Sequence, residues 1–534
     1  MRKLLLASAA ILGATGSLAL AQTPAQPLPV ANPSQGQMAA PYGAGPAANN
    51  NNNAWGVANT PSGNVAAGPL STMYAPNVNA LPAPGTIVIR LNGRVEVEVS
   101  ADFTSADVGK NANGTPNGYK LNPVGISSYV RLYPGFDGVA ANGLRYGASV
   151  ELRENFYAGT SGTTNGGSTG AVTSASGNSS SQTIFVRRAF TYLASDKVGI
   201  VRLGQTDGVL GLFDNCIFTS QCWDAGVGNF NGGALQAETA GAGVAVPFVW
   251  LAQAGAEYGN NKVVYLSPQF FGFDFGAQYA PSEGNAYSNS TGASPLQSTA
   301  CNQAGPNCIN VSSGNDPTRW LNQVGVGLRF QHTFGPVDFK VYGFYETAGK
   351  EDLTTTGYST VAQARAGTVG YAGAATPTTA ASATTLRYDN LSFYKAGVAV
   401  TALNITAAAD YIGGAVNGQL AMRPTGGAPT NAVVTGLTYA NGPITLGAEI
   451  GLVDTQGDAR LVGVSQRHEY EVAFGGSYRL APGVQLVGEY MYTHRHQGGY
   501  DFNAGNLGNA GRGPGTLTRD AQGQGAMFAT VLTW

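Results

Sequence analysis

From Thr86 onward the chain alternates apolar and polar residues with a period of two, and this pattern limits its possible folds more than any other feature. Ile87, Ile89, Leu91, Val95, Val97 and Val99 fall on one face of an extended chain; Arg90, Asn92, Arg94, Glu96, Glu98 and Ser100 fall on the other. Leu144, Tyr146, Ala148, Val150 and Leu152 oppose Arg145, Ser149, Glu151 and Arg153 in the same way. Val324, Val326, Leu328 and Phe330 oppose Gln323, Arg329 and Gln331; Val337, Phe339, Val341 and Tyr345 oppose Asp338, Lys340 and Glu346. Tyr470, Val472, Phe474 and Tyr478 oppose Arg467, Glu469, Glu471 and Arg479. The pattern predicts an all-β chain whose strands each carry one apolar and one charged face. A soluble sandwich would bury the apolar face in its core, whereas a membrane-spanning barrel would turn it to lipid and line its interior with the charged one. Alternation alone does not choose between them.

Composition and the spacing of the connections do choose. Asp, Glu, Lys and Arg make up only 11% of the residues, against roughly 25% in soluble domains. Gly stands at 76 of 534 residues, about twice the usual frequency. Strands are predicted at 86–103, 119–134, 143–158, 183–195, 198–206, 259–268, 271–281, 319–333, 337–348 and 387–401, then at 404–415, 430–440, 443–454, 466–480, 484–497 and 521–534, sixteen in all. The links between them alternate. Short ones include Ser195–Lys197, Phe334–Pro336, Asn441–Gly442 and Ala481–Gly483; long ones include 159–182, 207–258, 282–318, 349–386 and 498–520. Short turns on one rim and long loops on the other mark a transmembrane antiparallel barrel of the outer membrane, and an even strand number returns both ends to the periplasmic side. The apolar stretch Val244 to Leu251 within the third long link could add a strand pair, making eighteen.

The N-terminus reads as an export signal. Arg2 and Lys3 are followed by the apolar run Leu4 to Leu20, and Ala19-Leu20-Ala21 forms a small-residue cleavage site before Gln22. Loss of Arg2 and Lys3 with residues 1–21 takes the formal charge from −2 to −4. Residues 22–85 hold no charge and no His, and are rich in Pro, Ala, Asn and Gly; they are expected to be a disordered periplasmic leader ahead of a barrel over 86–534. Beyond the signal there is no apolar run of about 18 residues, so no transmembrane helix is expected. Nor is there the basic excess that sequence-independent nucleic-acid binding needs. Export places the four cysteines in an oxidising compartment, where Cys216/Cys222 and Cys301/Cys308 read most simply as two short-loop disulfides, a link between the two loops remaining open. Neither spacing suits a metal site. His494 and His496 lie two apart on one outward strand face, with too few further ligands for a metal.

The chain ends Phe528-Ala-Thr-Val-Leu-Thr-Trp534, with Phe528, Leu532 and Trp534 on one face. This resembles the C-terminal strand signal that the barrel assembly machinery reads during outer-membrane insertion. Phe185-Val-Arg-Arg-Ala-Phe-Thr-Tyr-Leu193, followed by Gly199-Ile-Val-Arg-Leu-Gly-Gln-Thr-Asp-Gly208, resembles the general diffusion porins of Gram-negative outer membranes, most in the manner of alphaproteobacterial ones. Tyr129-Val-Arg-Leu132 resembles their second strand, and Lys262 to Tyr279 the strand–turn–strand unit after their constriction loop. The likeness runs in order from about residue 86 to 534.

The resemblance implies a homotrimer in outer-membrane lipid, each subunit a water-filled channel for passive diffusion of ions and small hydrophilic solutes. It also implies a third loop folded into the barrel, whose acids face arginines on the wall across a constriction. The third long link, 207–258, carries only Asp207, Asp214, Asp224, Glu238 and Glu257 as charges. The first four of these are the candidate loop acids, with Asp214 and Asp224, flanking Cys216 and Cys222, preferred. The family's Pro-Glu-Phe-Gly-Gly-type loop motif is absent. Arg90, Arg94, Arg131, Arg145, Arg153, Arg187 and Arg202 fall on predicted lumen faces, and the resemblance carries the constriction role best onto Arg131 and Arg187. Arg188 falls on the outer face and is expected either at a contact between subunits or near the lipid headgroups.

Three other functions would each need residues of a particular kind. A substrate-selective channel, for carbohydrates for instance, needs a row of aromatics along the lumen, and Tyr342 and Phe344 lie on a lumen face. A barrel enzyme needs a Ser–His pair on one strand face, and neither that nor a Gly-x-Ser-x-Gly, Walker or His-Glu-x-x-His motif is present. An adhesin needs a folded passenger, which the uncharged leader does not supply. No cofactor is implied.

Overall fold

The alternating segments fold into a closed antiparallel barrel of sixteen strands. The structure is a computed structural model and describes residues 84–104, 108–110, 116–120, 124–156, 185–195, 198–206, 208–213, 260–268, 270–282, 320–350, 389–417, 423, 425–457, 465–481, 484–498 and 520–533. In chain order the strands are β1 (Ile87–Thr104), β2 (Val108–Lys110), β3 (Pro116–Lys120), β4 (Val124–Val139), β5 (Arg145–Phe156), β6 (Phe185–Ser195), β7 (Gly199–Thr206), β8 (Asn260–Leu266) and β9 (Phe273–Ser282). They continue as β10 (Trp320–Phe334), β11 (Val337–Lys350), β12 (Leu391–Ala402), β13 (Ile405–Ala415), β14 (Thr430–Asn441), β15 (Ile444–Thr455), β16 (Arg467–Ala481), β17 (Val484–Gln497) and β18 (Asp520–Thr533). Each wall strand bonds to the next wall strand in sequence. The last returns to the first, with Val99 opposite Phe528 and Arg94 opposite Thr533. Closure leaves no unpaired sheet edge, which is the condition for strands to cross lipid.

The expected sixteen strands are found, and the alternative of eighteen is not: β7 pairs directly with β8, which leaves no place between them for a further pair. Val244 to Leu251 lies outside the described residues. One expectation is corrected: the second wall strand begins at Val124, not at 119, because Tyr119 and Lys120 belong to a separate two-stranded ribbon, β2 with β3, in the connection between β1 and β4.

The turns on one rim are tight. Leu403 and Asn404, with φ of 52° and 66°, form a two-residue turn between β12 and β13. Two successive positive φ values give the type I′ twist that matches a right-handed strand pair. Gly335 and Gly442, at φ of 60° and 58°, serve the β10–β11 and β14–β15 turns. At the other rim the wall strands are joined by the long links.

Burial is inverted relative to a soluble protein. On β16, Glu471 is 0% exposed while its neighbours Tyr470 and Val472 are each 38% exposed. The outward faces carry Ile89, Leu203, Val326, Leu328, Leu437, Leu446 and Phe474, all exposed. Such a continuous apolar surface is tolerated in lipid and would drive association in water. Aromatic rings border it: Tyr394 with Tyr411 at 5.8 Å and Tyr470 with Tyr492 at 6.0 Å toward the long-loop rim, Phe273 with Phe330 at 4.7 Å toward the tight-turn rim. Paired aromatic girdles around an apolar band are what a barrel crossing a bilayer needs, because each ring sits half in headgroups and half in hydrocarbon. No helix among the described residues is long and apolar enough to cross a membrane; the strands do so.

Candidate pore lining and constriction

The lumen is built from the charged alternate of each strand. Arg131 of β4 is turned inward, 2% exposed, and the backbone register sets Arg94 of β1 and Arg153 of β5 directly opposite it. Three of the predicted arginine positions thus form one cross-strand row. Arg202 of β7 also points inward, its guanidinium carbon 5.3 Å from the centre of the Phe190 ring. Beside it the Tyr192 hydroxyl donates to the Asp137 carboxylate. Gly147 lies between them in the register, and a Cβ there would come within 2.6 Å of the Tyr192 ring. The missing side chain lets the tyrosine lie along the wall.

Arg188 is a correction. It was expected on the outer face, but it is turned inward, with its Nη1 3.3 Å from Glu151 Oε2. The cause is a β-bulge. The β5–β6 register pairs Glu151 with Arg188 and then Leu152 with Val186, passing over Arg187. One extra residue reverses the alternation beyond it. It also keeps the charge out of lipid, where a midplane arginine would cost about 2–4 kcal/mol.

The inward basic residues continue with Lys262 on β8, Arg329 on β10, Lys340 on β11 and Lys395 on β12. Arg329 grips Asp274 with Nε 3.2 Å from both carboxylate oxygens and Nη2 3.0 Å from Oδ2. Lys395 lies 3.8 Å from Asp410. Inward acids gather elsewhere: Glu449 on β15, Glu469 and Glu471 on β16, Glu489 on β17. Arg467 and Arg495 stand among them, and Arg495 engages Glu469 at 2.8 Å. In a ring of sixteen, walls eight strands apart face each other, so β15 faces β7 and β16 faces β8. The wall bearing Glu449 therefore opposes that of Arg202, and the wall bearing Glu471 opposes that of Lys262. Opposed charges across an enclosed lumen set up a transverse field that bulk salt screens poorly.

The third long connection turns into the barrel at its start. Val209–Phe213 form a short helix, α1, directly after β7, and all five residues are buried. Tyr342 and Phe344 face the lumen, as does Phe393, whose ring is 6.0 Å from that of Phe344.

Asp207, Asp214, Asp224, Glu238, Cys216, Cys222, Cys301, Cys308 and Trp534 lie outside the described residues, as do the signal and nearly all of the leader. The backbones of Arg90, Arg94, Arg153 and Arg187 belong to wall strands, but their side chains lie outside what is described. Phe528 and Leu532 face outward, 50% and 43% exposed. His494 and His496 also face outward and share Asp520, at 3.4 and 2.8 Å. Among the described residues no group of three or more His, Cys, Asp or Glu is disposed to hold a metal ion. The acids of β15–β17 were not singled out from sequence as a counter-wall. The alternation gave the face of Glu469 and Glu471, but which wall they oppose depends on where the barrel closes.

The sequence profile described as Gram-negative porin matches residues 80–498. No curated protein matches the chain significantly. Among solved structures, the anion-selective porin of Comamonas acidovorans is 14% identical, with 84% of this chain and 100% of that one covered and a TM-score of 0.43. Salmonella typhi OmpF is 14% identical, with 84% and 97% covered and a TM-score of 0.43. In-vitro folded OmpT, an outer-membrane protein of Vibrio cholerae, is 12% identical in its trimer form, with 84% and 99% covered and a TM-score of 0.41. With the profile spanning most of the length, and a closed sixteen-stranded wall that is apolar outside and charged within, the chain belongs to the Gram-negative porin family and is a channel-forming protein of the outer membrane.

Proposed function

We propose that this porin passes ions and small hydrophilic solutes by passive diffusion and sorts them by charge across its lumen. The observation that carries this reading is an excess of opposite charge on facing walls. On β4–β8 the buried Arg131, Arg188, Arg202 and Lys262 outnumber Asp137 and Glu151, while on β15–β17 Glu449, Glu469, Glu471 and Glu489 outnumber Arg467 and Arg495. A solute crossing between them is oriented by its dipole, and ions of opposite sign take opposite walls. Asp214 and Asp224 of the third loop add acid to the constriction in this proposal, and a Cys216–Cys222 disulfide stiffens the loop that carries them. Cys301–Cys308 closes a second external loop. The proposal includes a homotrimer, a signal peptide over 1–21 and a periplasmic leader over 22–85. It has no enzymatic component, since the lumen charges are arranged as walls rather than as a nucleophile with its base.

The test is the reversal potential across a planar bilayer under a KCl gradient. Glu449→Gln combined with Glu471→Gln is expected to move it toward anion preference, and Arg202→Gln toward cation preference. Shifts of the same sign, or none, would contradict sorting by opposed walls. A second reading has its own observation. Tyr342, Phe344 and Phe393 form an aromatic strip on the lumen face of β11 and β12, as a channel with affinity for sugars would need. Saturating sugar flux abolished by Tyr342→Ala would favour it.

A further inference from the structure

A loop that narrows a pore has to be fastened to the wall, since a segment with few packed contacts opens locally at little cost. The start of the third loop is fastened. Gly276 of β9 and Gly327 of β10 stand directly opposite each other in the register. A Cβ on Gly276 would lie 2.7 Å from Val209 Cγ1. One on Gly327 would lie 2.9 Å from the same methyl and 3.1 Å from Phe213 Cδ2. Neither glycine is among the positive-φ residues, so the backbone does not require glycine at either place. What requires it is room: the two bare positions form a dimple in the inner wall into which α1 sets Val209 and Phe213.

Polar contacts frame the dimple. Gln278 Oε1 accepts a hydrogen bond from the Val209 backbone N–H at 2.5 Å, satisfying a donor that the first turn of a helix leaves open. The Gln278 amide in turn donates to Glu346 Oε2 at 3.1 Å, and Gln323 donates to the other oxygen of Glu346. On the far side Arg329, held by Asp274, lies with its guanidinium carbon 4.8 Å from the centre of the Phe213 ring, within cation–π range.

We propose that the Gly276–Gly327 pair is the seat of a latch that sets how far the third loop stands into the lumen, and hence the size limit of the pore. Val209 and Phe213 are the plug, and Gln278 and Arg329 are positioning residues. The inference rests on the diffusion-pore reading. Gly327→Ala fills the seat and pushes the loop off the wall into the lumen. Phe213→Ala empties the plug and leaves the wall untouched.

Single-channel recording and liposome swelling with sugars of increasing size test it on the full chain, with heat-dependent gel mobility as the measure of a folded barrel. Gly327→Ala is expected to lower conductance by about one third or more, with the largest sugars losing most. Phe213→Ala is expected to raise open-channel noise and Phe213→Leu to quieten it. Combining Gly327→Ala with Val209→Ala and Phe213→Ala removes the atoms that the added methyl would meet and returns the conductance lost, a non-additive result that general destabilisation does not produce. Gly343→Ala, where a Cβ meets nothing within 4 Å, leaves every readout unchanged. Wild-type conductance and size limit in folded Gly327→Ala, together with wild-type open-channel noise in folded Phe213→Ala, would overturn the latch while leaving the pore standing. If Gly327→Ala fails to assemble, Phe213→Ala decides alone. A folded wild type that does not conduct overturns the pore reading and the latch with it.

Discussion

At the scale of single residues, the side chains that matter are charges placed where a soluble protein keeps hydrocarbon. Arg188 and Glu151 are each 2% exposed in their side chains and 3.3 Å apart. An enclosed arginine that loses its carboxylate keeps the desolvation cost without the attraction, so Glu151→Leu is expected to cost about 3 kcal/mol, read as a shift in the urea midpoint for unfolding from lipid vesicles. An arginine on the lipid face would make no use of Glu151, and an unchanged midpoint would contradict the inward assignment. Nothing in the residue types announces the bulge that turns Arg188 inward. Phe185-Val-Arg-Arg-Ala-Phe reads as an unbroken strand, and only the pairing with β5 shows that Arg187 is passed over.

At the scale of elements, each strand is a two-faced ribbon whose apolar side meets lipid. Leu328 of β10 is 54% exposed. In a soluble protein an exposed position of this kind accepts a charge at little cost. In the barrel wall Leu328→Arg is expected to destabilise by about 2–4 kcal/mol, measured by the same unfolding in vesicles, and a neutral result would contradict a lipid-facing outer surface. The strands were legible in the sequence because a period of two survives whichever face is wet: β7 was expected at 198–206 and is found at Gly199–Thr206, and β17 was expected and found at 484–497. The ribbon of β2 and β3 was not legible, because Tyr119 and Lys120 continue the polar spacing into the next strand. The glycine seat was invisible for a related reason. Gly276 and Gly327 look like other strand glycines until the loop that fills the space above them is placed. The lumen faces of Arg131 and Arg202 could be read by counting along a strand, whereas the wall that opposes them could not.

At the scale of the whole molecule, sixteen strands close without an edge, the outer surface is apolar between aromatic margins, and the enclosed surface carries an excess of opposite charge on facing walls. A structure of this kind has no stable place in water and no use for a charged interior in lipid unless that interior is wet. A wet, charged interior therefore has to conduct. The measurement that tests it most directly is single-channel recording of the refolded full chain in a planar bilayer, with folding and insertion checked independently. Stepwise conductance that scales with salt and arrives in groups of three is the predicted result. A folded, inserted protein that passes no current at any voltage or salt concentration would contradict it.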